Sequence, residues 1–150
     1  MARVPELDQL AMIELSDGRR IDEAVHLVHV YTVEAHPALP DPTPYRNWTD
    51  DDKPSGTGTA YGDVHQGMTW SERAANAQRV LSRMTNDPLM LLDGLDGDPY
   101  VNPVWSTYGT APNAAFVIGQ DGTIAAAQLW TDTGKLRRKI LEIVDPTAQD

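Results

Sequence analysis

The sequence predicts an α/β protein in which helices flank a mixed sheet, and three patterns lead to this fold class. An apolar, β-branched run over residues 24–33 is typical of a buried strand. Thr69 and Glu72 match a capping box, in which two side chains satisfy free backbone amides at a helix start. The turn Gly119–Gly122 between two apolar runs indicates a hairpin. Long connections between the early strands permit parallel crossovers, and the hairpin adds antiparallel pairing.

The remaining elements follow from shorter patterns. Residues 5–15 have roughly helical apolar spacing, but a strand over 10–15 is an alternative because a turn signal follows at 16–18. The helix that begins at the capping box should continue to about Met84. The later elements are a buried strand at 89–92, strands at 114–118 and 123–130 around the hairpin turn, and a helix at 135–144 before Pro146.

Length and composition limit the classes of function. A chain of 150 residues is expected to form one domain, here residues 1–150. The net charge of −10 disfavours nucleic acid and anionic membranes as partners, because both need clustered Lys and Arg. No signal peptide or membrane-spanning apolar run is visible, so a cytoplasmic location is the expectation. These residues include no cysteine, which excludes disulfides, zinc–thiolate sites and thiol catalysis.

A long proline- and glycine-rich segment separates the first strand from the capping box. It spans about residues 37–68 and includes an acidic run at 50–52. A loop of this length inside a compact domain is usually either functional or disordered. Just before it, Glu34 and His36 end the first strand run. Strand ends that open into loops are where α/β folds usually place their chemistry.

Four segments, in the family's order, resemble the iodothyronine deiodinases and related bacterial thioredoxin-like proteins. They are VYTVEAHP (30–37), SERAANAQRVL (71–81), PLMLLDGLD (88–96) and the run from Tyr108 to Ala125 that contains APNAAFVIGQDGTIA. The EAHP signature at a strand end, with the others following in register, is fairly specific. The resemblance implies a thioredoxin-like fold whose long loop follows the second family strand. It also implies that Pro112 is a cis-proline facing the active site, with a trans proline in an ordinary turn as the alternative.

Two departures from the family pattern bear on fold and activity. The family's first strand, and the selenocysteine or cysteine that follows it, have no counterpart in these residues. Without that central strand the sheet would have unpaired edges, and such edges bind other strands. The missing strand could come from residues 10–15, from another copy of the chain or from a different subunit. A homodimer or hetero-oligomer that completes the sheet is therefore expected. Reductive dehalogenation needs a nucleophilic selenol or thiol, so we expect that activity to be lost.

Glu34 and His36 match the family's Glu and His beside the active site and are the predicted catalytic residues. A histidine near a carboxylate is a plausible acid/base pair, because the carboxylate can orient the ring or hold its charge. The alternative is that both residues only fix the strand end and the loop. His65 could join them in a metal triad, but the spacing does not demand it, and we predict no metal and no cofactor.

Large aromatics and two arginines supply a predicted pocket for a small organic substrate. Aromatic walls with a few polar groups are typical of such pockets, and arginine offers a fork for an anion. The alternative is that the aromatic side chains only anchor the long loop to the core. Asn113 could present its amide to the same site. The predicted substrate-binding residues are Tyr45, Arg46, Trp48, Tyr61, Trp70, Arg73, Trp105, Pro112 and Asn113.

Hypotheses from different functional classes follow. The leading hypothesis is a non-redox enzyme that performs acid/base chemistry (an elimination, isomerisation, cyclisation or hydrolysis) on a small organic molecule, with His36 as proton carrier and Glu34 as its partner. The rival hypothesis is a non-catalytic binding or accessory subunit that pairs with a partner chain through its sheet edge. The missing strand and the strong acidity motivate it. A ligand sensor or carrier that uses the same pocket without turnover is a third hypothesis.

Overall fold

The computed structural model is a mixed α/β protein of helices and small sheets, which confirms this level of the sequence prediction. It describes residues 4–34, 37–38, 41, 64–86, 88–94, 102–108 and 113–147. Two strand pairs form the described sheets, β1 with β2 and β3 with β4. In chain order the described elements are α1 (Val4–Ala11), α2 (Ile21–Ala24), β1 (Val28–Tyr31), α3 (Trp70–Leu81), β2 (Leu89–Leu92), α4 (Pro103–Tyr108), β3 (Ala115–Ile118), β4 (Ile124–Gln128) and α5 (Thr133–Val144).

The chain divides into two compact units. The first comprises residues 29–82 and 90–108, and the second comprises 2–28, 83–89 and 109–150. Most of the β1–β2 sheet, with α3 and α4, belongs to the first unit, while α1, α2, α5 and the β3–β4 hairpin belong to the second. The single domain that the chain length suggests stays a prediction.

The first unit contains the sheet end that positions the candidate site. The amide of Asp93, the residue after β2, donates to the carbonyl oxygen of Tyr31, the last residue of β1, over 2.9 Å. The carboxyl ends of both strands therefore lie side by side. Exposed and half-buried residues alternate along each strand, so one face of this short sheet is exposed.

Helix α3 begins as the capping box predicts. The Thr69 hydroxyl accepts from the Glu72 amide at 3.3 Å, and the Glu72 carboxylate accepts from the Thr69 amide at 3.0 Å. Each bond satisfies an amide that has no partner within the helix. The helix ends at Leu81, short of the predicted Met84.

The backbone amides of residues 85 and 86, which follow α3, bond to a side chain distant in the sequence. Asp8 is buried, and its carboxylate accepts from the backbone amides of Thr85 and Asn86 at 3.1 Å. Those amides would bond to helical carbonyls if the helix continued. A carboxylate distant in sequence accepts from them instead, which holds residues 85 and 86 out of a helix.

The second unit is built on a core between α1, α5 and the hairpin. Strands β3 and β4 pair antiparallel as predicted, from Ala115 opposite Gln128 to Ile118 opposite Ile124. Gly122 in the turn has a φ of 81°, which glycine adopts without steric cost. The buried members of the core cluster are Leu10, Leu15, Ile21, Leu136 and Ile140.

The N-terminal segment forms a shorter helix than the spacing predicts. Helix α1 ends at Ala11, and Glu14 then makes an isolated antiparallel bridge with Arg20 across the turn at 16–18. Segment 10–15 is thus the end of a helix followed by one bridge, and it does not supply the family's missing strand. Within the described ranges, no helix combines the length and the apolar character that crossing a membrane requires.

Candidate functional site

Side chains from several segments of the first unit meet at the carboxyl ends of β1 and β2. Of the predicted site residues, Glu34, Arg73 and Trp105 lie in this region, and Trp70 is the first residue of α3. Asn113 belongs to the second unit. The other predicted site residues lie outside the described residues; they are His36, Tyr45, Arg46, Trp48, Tyr61 and Pro112.

A side-chain amide holds the backbone of Glu34 as a neighbouring strand would. Gln66 Oε1 accepts from the Glu34 amide at 2.9 Å, and Gln66 Nε2 donates to the Glu34 carbonyl at 3.2 Å. Gln66 is only 5 % exposed. The pair satisfies both backbone polar groups of Glu34. It therefore fixes the direction in which the Glu34 side chain leaves the strand end.

Gln66 is in turn positioned by residues at the two ends of the predicted loop insertion. The Asp41 carboxylate accepts from the Gln66 amide at 2.7 Å and lies 3.0 Å from His65 Nδ1. The Ala38 amide donates to the Val64 carbonyl at 2.8 Å. The two ends of the insertion are therefore joined to one another beside the end of β1.

Arg73 lies in the first turn of α3, and its side chain is fully buried. Its Nη1 donates to the carbonyl oxygens of Asp93 and Gly94, both at 3.3 Å, and to Asn102 Oδ1. The guanidinium thus joins α3 to the turn after β2 and to the residue before α4. These contacts make Arg73 a buried crosslink, and the anion-binding role that the sequence suggests stays a prediction.

Gly67 lets the chain pass close to the start of α3. A Cβ at this position would lie 2.8 Å from the Arg73 amide nitrogen and 2.9 Å from the Arg73 Cα. Both are backbone atoms, so they cannot move aside at low cost. The close approach brings Gln66, and with it the Glu34 backbone, against the first turn of α3.

The Asp93 carboxylate closes the turn after β2, and Asp93 is only 2 % exposed. Its oxygens accept from the amides of Gly94 at 2.8 Å, Val104 at 2.9 Å and Trp105 at 2.8 Å. The last two amides belong to the first turn of α4, where they lack helical partners. Trp105 is itself buried, so this turn packs as part of the interior of the first unit.

Sequence analysis did not single out Gln66, Asp93 or Asn102 as members of the site. For Asn102 a signal was present, since Asn is favoured just before a helix and Pro, here Pro103, at its first position. For Gln66 and Asp93 no local pattern marks the role. Their partners are distant in sequence and meet them only in the folded chain.

The Glu34 carboxyl occupies a partly desolvated position. Burial raises the pKa of Glu34 from 4.5 to about 7, and positive charges, with Arg73 a minor one among them, oppose that rise. Burial likewise lowers the pKa of Arg73, while Asp93 and Glu34 favour its charged form. Near neutral pH the Glu34 carboxyl is therefore divided between its protonated and ionised forms, so it can both donate and accept a proton.

Trp70 and Asn113, two further residues of the predicted substrate pocket, lie in different surroundings. Trp70 is 54 % exposed, next to the capping residue Thr69, so its ring is open to solvent. The Asn113 carbonyl accepts from the Thr131 amide at 2.9 Å, and Asn113 forms an isolated parallel bridge with Trp130. This pairing continues the strand contacts of the second unit.

Comparison with known proteins adds no family or neighbour. No protein-family model, no curated protein and no solved structure matches the chain. Within the part of the chain that the structure describes, no group of three His, Asp or Glu side chains is placed to hold a metal ion.

Proposed function

We propose that this chain is an enzyme that moves protons on a small organic substrate, with Glu34 as its acid/base group. The observation that supports this most directly is the position of Glu34. It is half-buried just beyond β1, and its backbone is fixed by Gln66. A carboxyl group in a defined place at a strand end is a common arrangement for chemistry in α/β proteins.

The electrostatics of Glu34 suit this role. A general acid or base is most effective when its pKa lies near the working pH, and burial raises the pKa of Glu34 to about 7. Among the described side chains and amides, none forms a hydrogen bond with the Glu34 carboxyl oxygens.

His36 is the proposed second proton carrier. It follows Glu34 by two positions in the EAHP signature, and an imidazole changes charge in the same pH range. The chemistry is an elimination, isomerisation, cyclisation or hydrolysis. The absence of cysteine from these residues leaves no thiol for redox catalysis.

We also propose the thioredoxin-like fold that the deiodinase resemblance implies. Its support is the order of elements, in which β1, α3, β2, the β3–β4 hairpin and α5 follow one another along the chain. The cis-proline expected at Pro112 gives a test, because cis peptide bonds are almost confined to proline. The ¹³C NMR shifts of the Pro112 ring should indicate a cis bond, and a trans bond would count against the family fold.

The enzymatic proposal is tested by proton exchange in heavy water. The wild-type chain is incubated in D₂O with a panel of small ketones, hydroxy acids and lactones, and ¹H NMR follows deuterium incorporation and product formation. Glu34→Gln should abolish the catalysed reaction, and His36→Ala should weaken it. Glu14→Gln, an exposed carboxylate, is the matched control and should retain activity. Catalysis that survives in both Glu34→Gln and His36→Ala, or its absence from the wild type, would contradict the proposal.

A second candidate function, that of an interaction subunit, is favoured by one observation. Alternate residues of the β1–β2 sheet are apolar and exposed, with Val30 38 %, Leu91 47 % and Leu89 57 % exposed. Sheets of adjacent parallel strands usually have both faces covered, and exposed apolar surface often marks an interface. The partner would be a second copy or a different chain that completes this sheet.

Light scattering coupled to size-exclusion chromatography tests this second candidate. A homodimer should lose its assembly in the double variant Val30→Lys and Leu91→Lys, because each charge would be buried at the interface. Glu14→Lys is a control for added positive charge elsewhere. A stable wild-type monomer whose sheet face tolerates both lysines without loss of solubility or stability would weigh against the interaction function.

A further inference from the structure

We propose that His65 is an imidazole oriented by Asp41 and a further proton carrier of the candidate site. The role as proton carrier rests on the proposed function, whereas the orientation and reactivity of the ring can be measured without a substrate. Histidine is the side chain that most often moves protons in active sites. The ring of His65 is exposed to solvent, while its backbone and one of its ring nitrogens are held in place.

A carboxylate holds one nitrogen of the His65 ring. Nδ1 lies 3.0 Å from Oδ2 of Asp41. An ionised carboxylate can only accept a hydrogen bond, so Nδ1 carries the hydrogen and Nε2 keeps its lone pair in the neutral ring. The side chain of His65 is 62 % exposed, so small solutes can reach the ring. A base oriented by a third group is a common arrangement in active sites that transfer protons.

The backbone that carries this ring is fixed on both sides. The neighbouring residues Val64 and Gln66 are only 7 % and 5 % exposed. The carbonyl oxygen of His65 accepts a hydrogen bond from Nδ2 of Asn76, a residue of α3, at 2.9 Å. An exposed ring on a fixed backbone, with one nitrogen bonded, is positioned before any substrate arrives.

Gln66 connects the oriented ring to Glu34. The Asp41 oxygen that faces His65 also accepts from the Gln66 amide, at 2.7 Å. The side chain of Gln66 bonds to both backbone polar groups of Glu34. One buried residue thus supports the Glu34 backbone and the Asp41–His65 pair. General acid/base chemistry uses two such groups, one to remove a proton and one to return it.

The first test measures the position of the hydrogen on the ring. Long-range ¹H–¹⁵N NMR spectra of the full chain are recorded at alkaline pH, where histidine is neutral, and His65→Gln assigns the resonances. The neutral His65 ring should carry its hydrogen on Nδ1. A hydrogen on Nε2 would overturn the inference, because Nδ1 would then not donate to Asp41.

The second test measures the reactivity of the ring with diethyl pyrocarbonate, which acylates neutral imidazole. Asp41→Asn keeps an oxygen that can accept from the Gln66 amide, but it removes the negative charge beside the ring. Mass spectrometry should show that acylation of His65 becomes severalfold slower in Asp41→Asn. Acylation of the exposed His26 in the same chain is the internal control and should not change. An unchanged rate at His65 would contradict the inference.

The heavy-water assay tests the role as proton carrier. His65→Gln should slow the catalysed reaction by about 100-fold, whereas His26→Gln should leave the rate unchanged. Catalysis that His65→Gln does not slow would overturn this role. If the wild type catalyses no reaction while the NMR and acylation results are as expected, the proposed enzymatic function fails and the oriented imidazole is confirmed. The two failures are therefore distinguishable.

Discussion

Replacing Glu34 with glutamine is expected to stabilise the folded chain at pH 8 and to leave its stability nearly unchanged at pH 4. Burial raises the pKa of Glu34 to about 7, so the folded chain retains a proton that the unfolded chain loses at lower pH. The stability that this group contributes is complete below its unfolded pKa and is lost as the pH rises toward about 7. Glutamine resembles the protonated acid and suffers no such loss.

The size of the effect follows from the pKa of Glu34 in the two states. The rise is from 4.5 in the unfolded chain to about 7 in the folded chain. At about 1.36 kcal/mol per unit, this corresponds to about 3 kcal/mol in the free energy of unfolding. It is an upper figure, because Glu34 is only half-buried and water still solvates part of the carboxylate. Against a typical total of about 5–15 kcal/mol it is a large change.

Urea denaturation followed by far-UV circular dichroism measures this difference at both pH values. The wild type, Glu34→Gln and the exposed control Glu14→Gln are compared, and the control should differ little from the wild type at either pH. The reasoning is refuted if Glu34→Gln destabilises the chain at pH 8, or if it changes stability equally at pH 4 and pH 8. If Glu34→Gln is more stable than the wild type but inactive, the ionisable carboxyl lowers stability and is needed for activity.

Three further substitutions test how the buried network is built. Asp93→Asn should lower the free energy of unfolding by about 2–4 kcal/mol, because the amide group would face backbone donors that now bond to a carboxylate. A loss below about 0.5 kcal/mol in urea denaturation would contradict the capping role of Asp93. Gly67→Ala should lower the free energy of unfolding by about 1–3 kcal/mol, because the added Cβ would crowd the Arg73 backbone. The matched change Gly134→Ala in α5 should be neutral or stabilising, and equal melting temperatures for the two variants would refute this prediction. Thr69→Ala should cost about 1 kcal/mol and speed amide hydrogen exchange in the first turn of α3, and unchanged exchange there would argue against the cap.

The elements that sequence analysis predicted well are those encoded by neighbouring residues. The capping box of Thr69 and Glu72 forms within one helical turn, and its hydrogen bonds are local. The hairpin turn requires a positive φ at Gly122, which glycine adopts freely. Such signals do not depend on the rest of the fold. In contrast, Asp8 accepts from the amides of Thr85 and Asn86, and no local pattern marks this partner because it is distant in the sequence.

The candidate site was predicted only in part for the same reason. Glu34 stands out in the sequence because a carboxylate follows an apolar strand run. Its environment depends on Gln66, which bonds to its backbone from a separate segment of the chain. An arginine in a first helical turn looks like a surface residue or an anion-binding residue in the sequence. Its burial follows from acceptors on Asp93 and Asn102, and neither is marked by a local pattern as a partner of Arg73.

The ¹³C NMR titration of the Glu34 carboxyl in the wild-type chain tests the central claim most directly. The account requires a carboxyl that exchanges its proton near neutral pH at the end of β1, so it predicts a midpoint close to 7. A midpoint near 4.5, the ordinary value for this side chain, would contradict it. Such a result would mean that the carboxylate is solvated and permanently ionised at neutral pH, and would leave Glu34 without the proton that the proposed chemistry transfers.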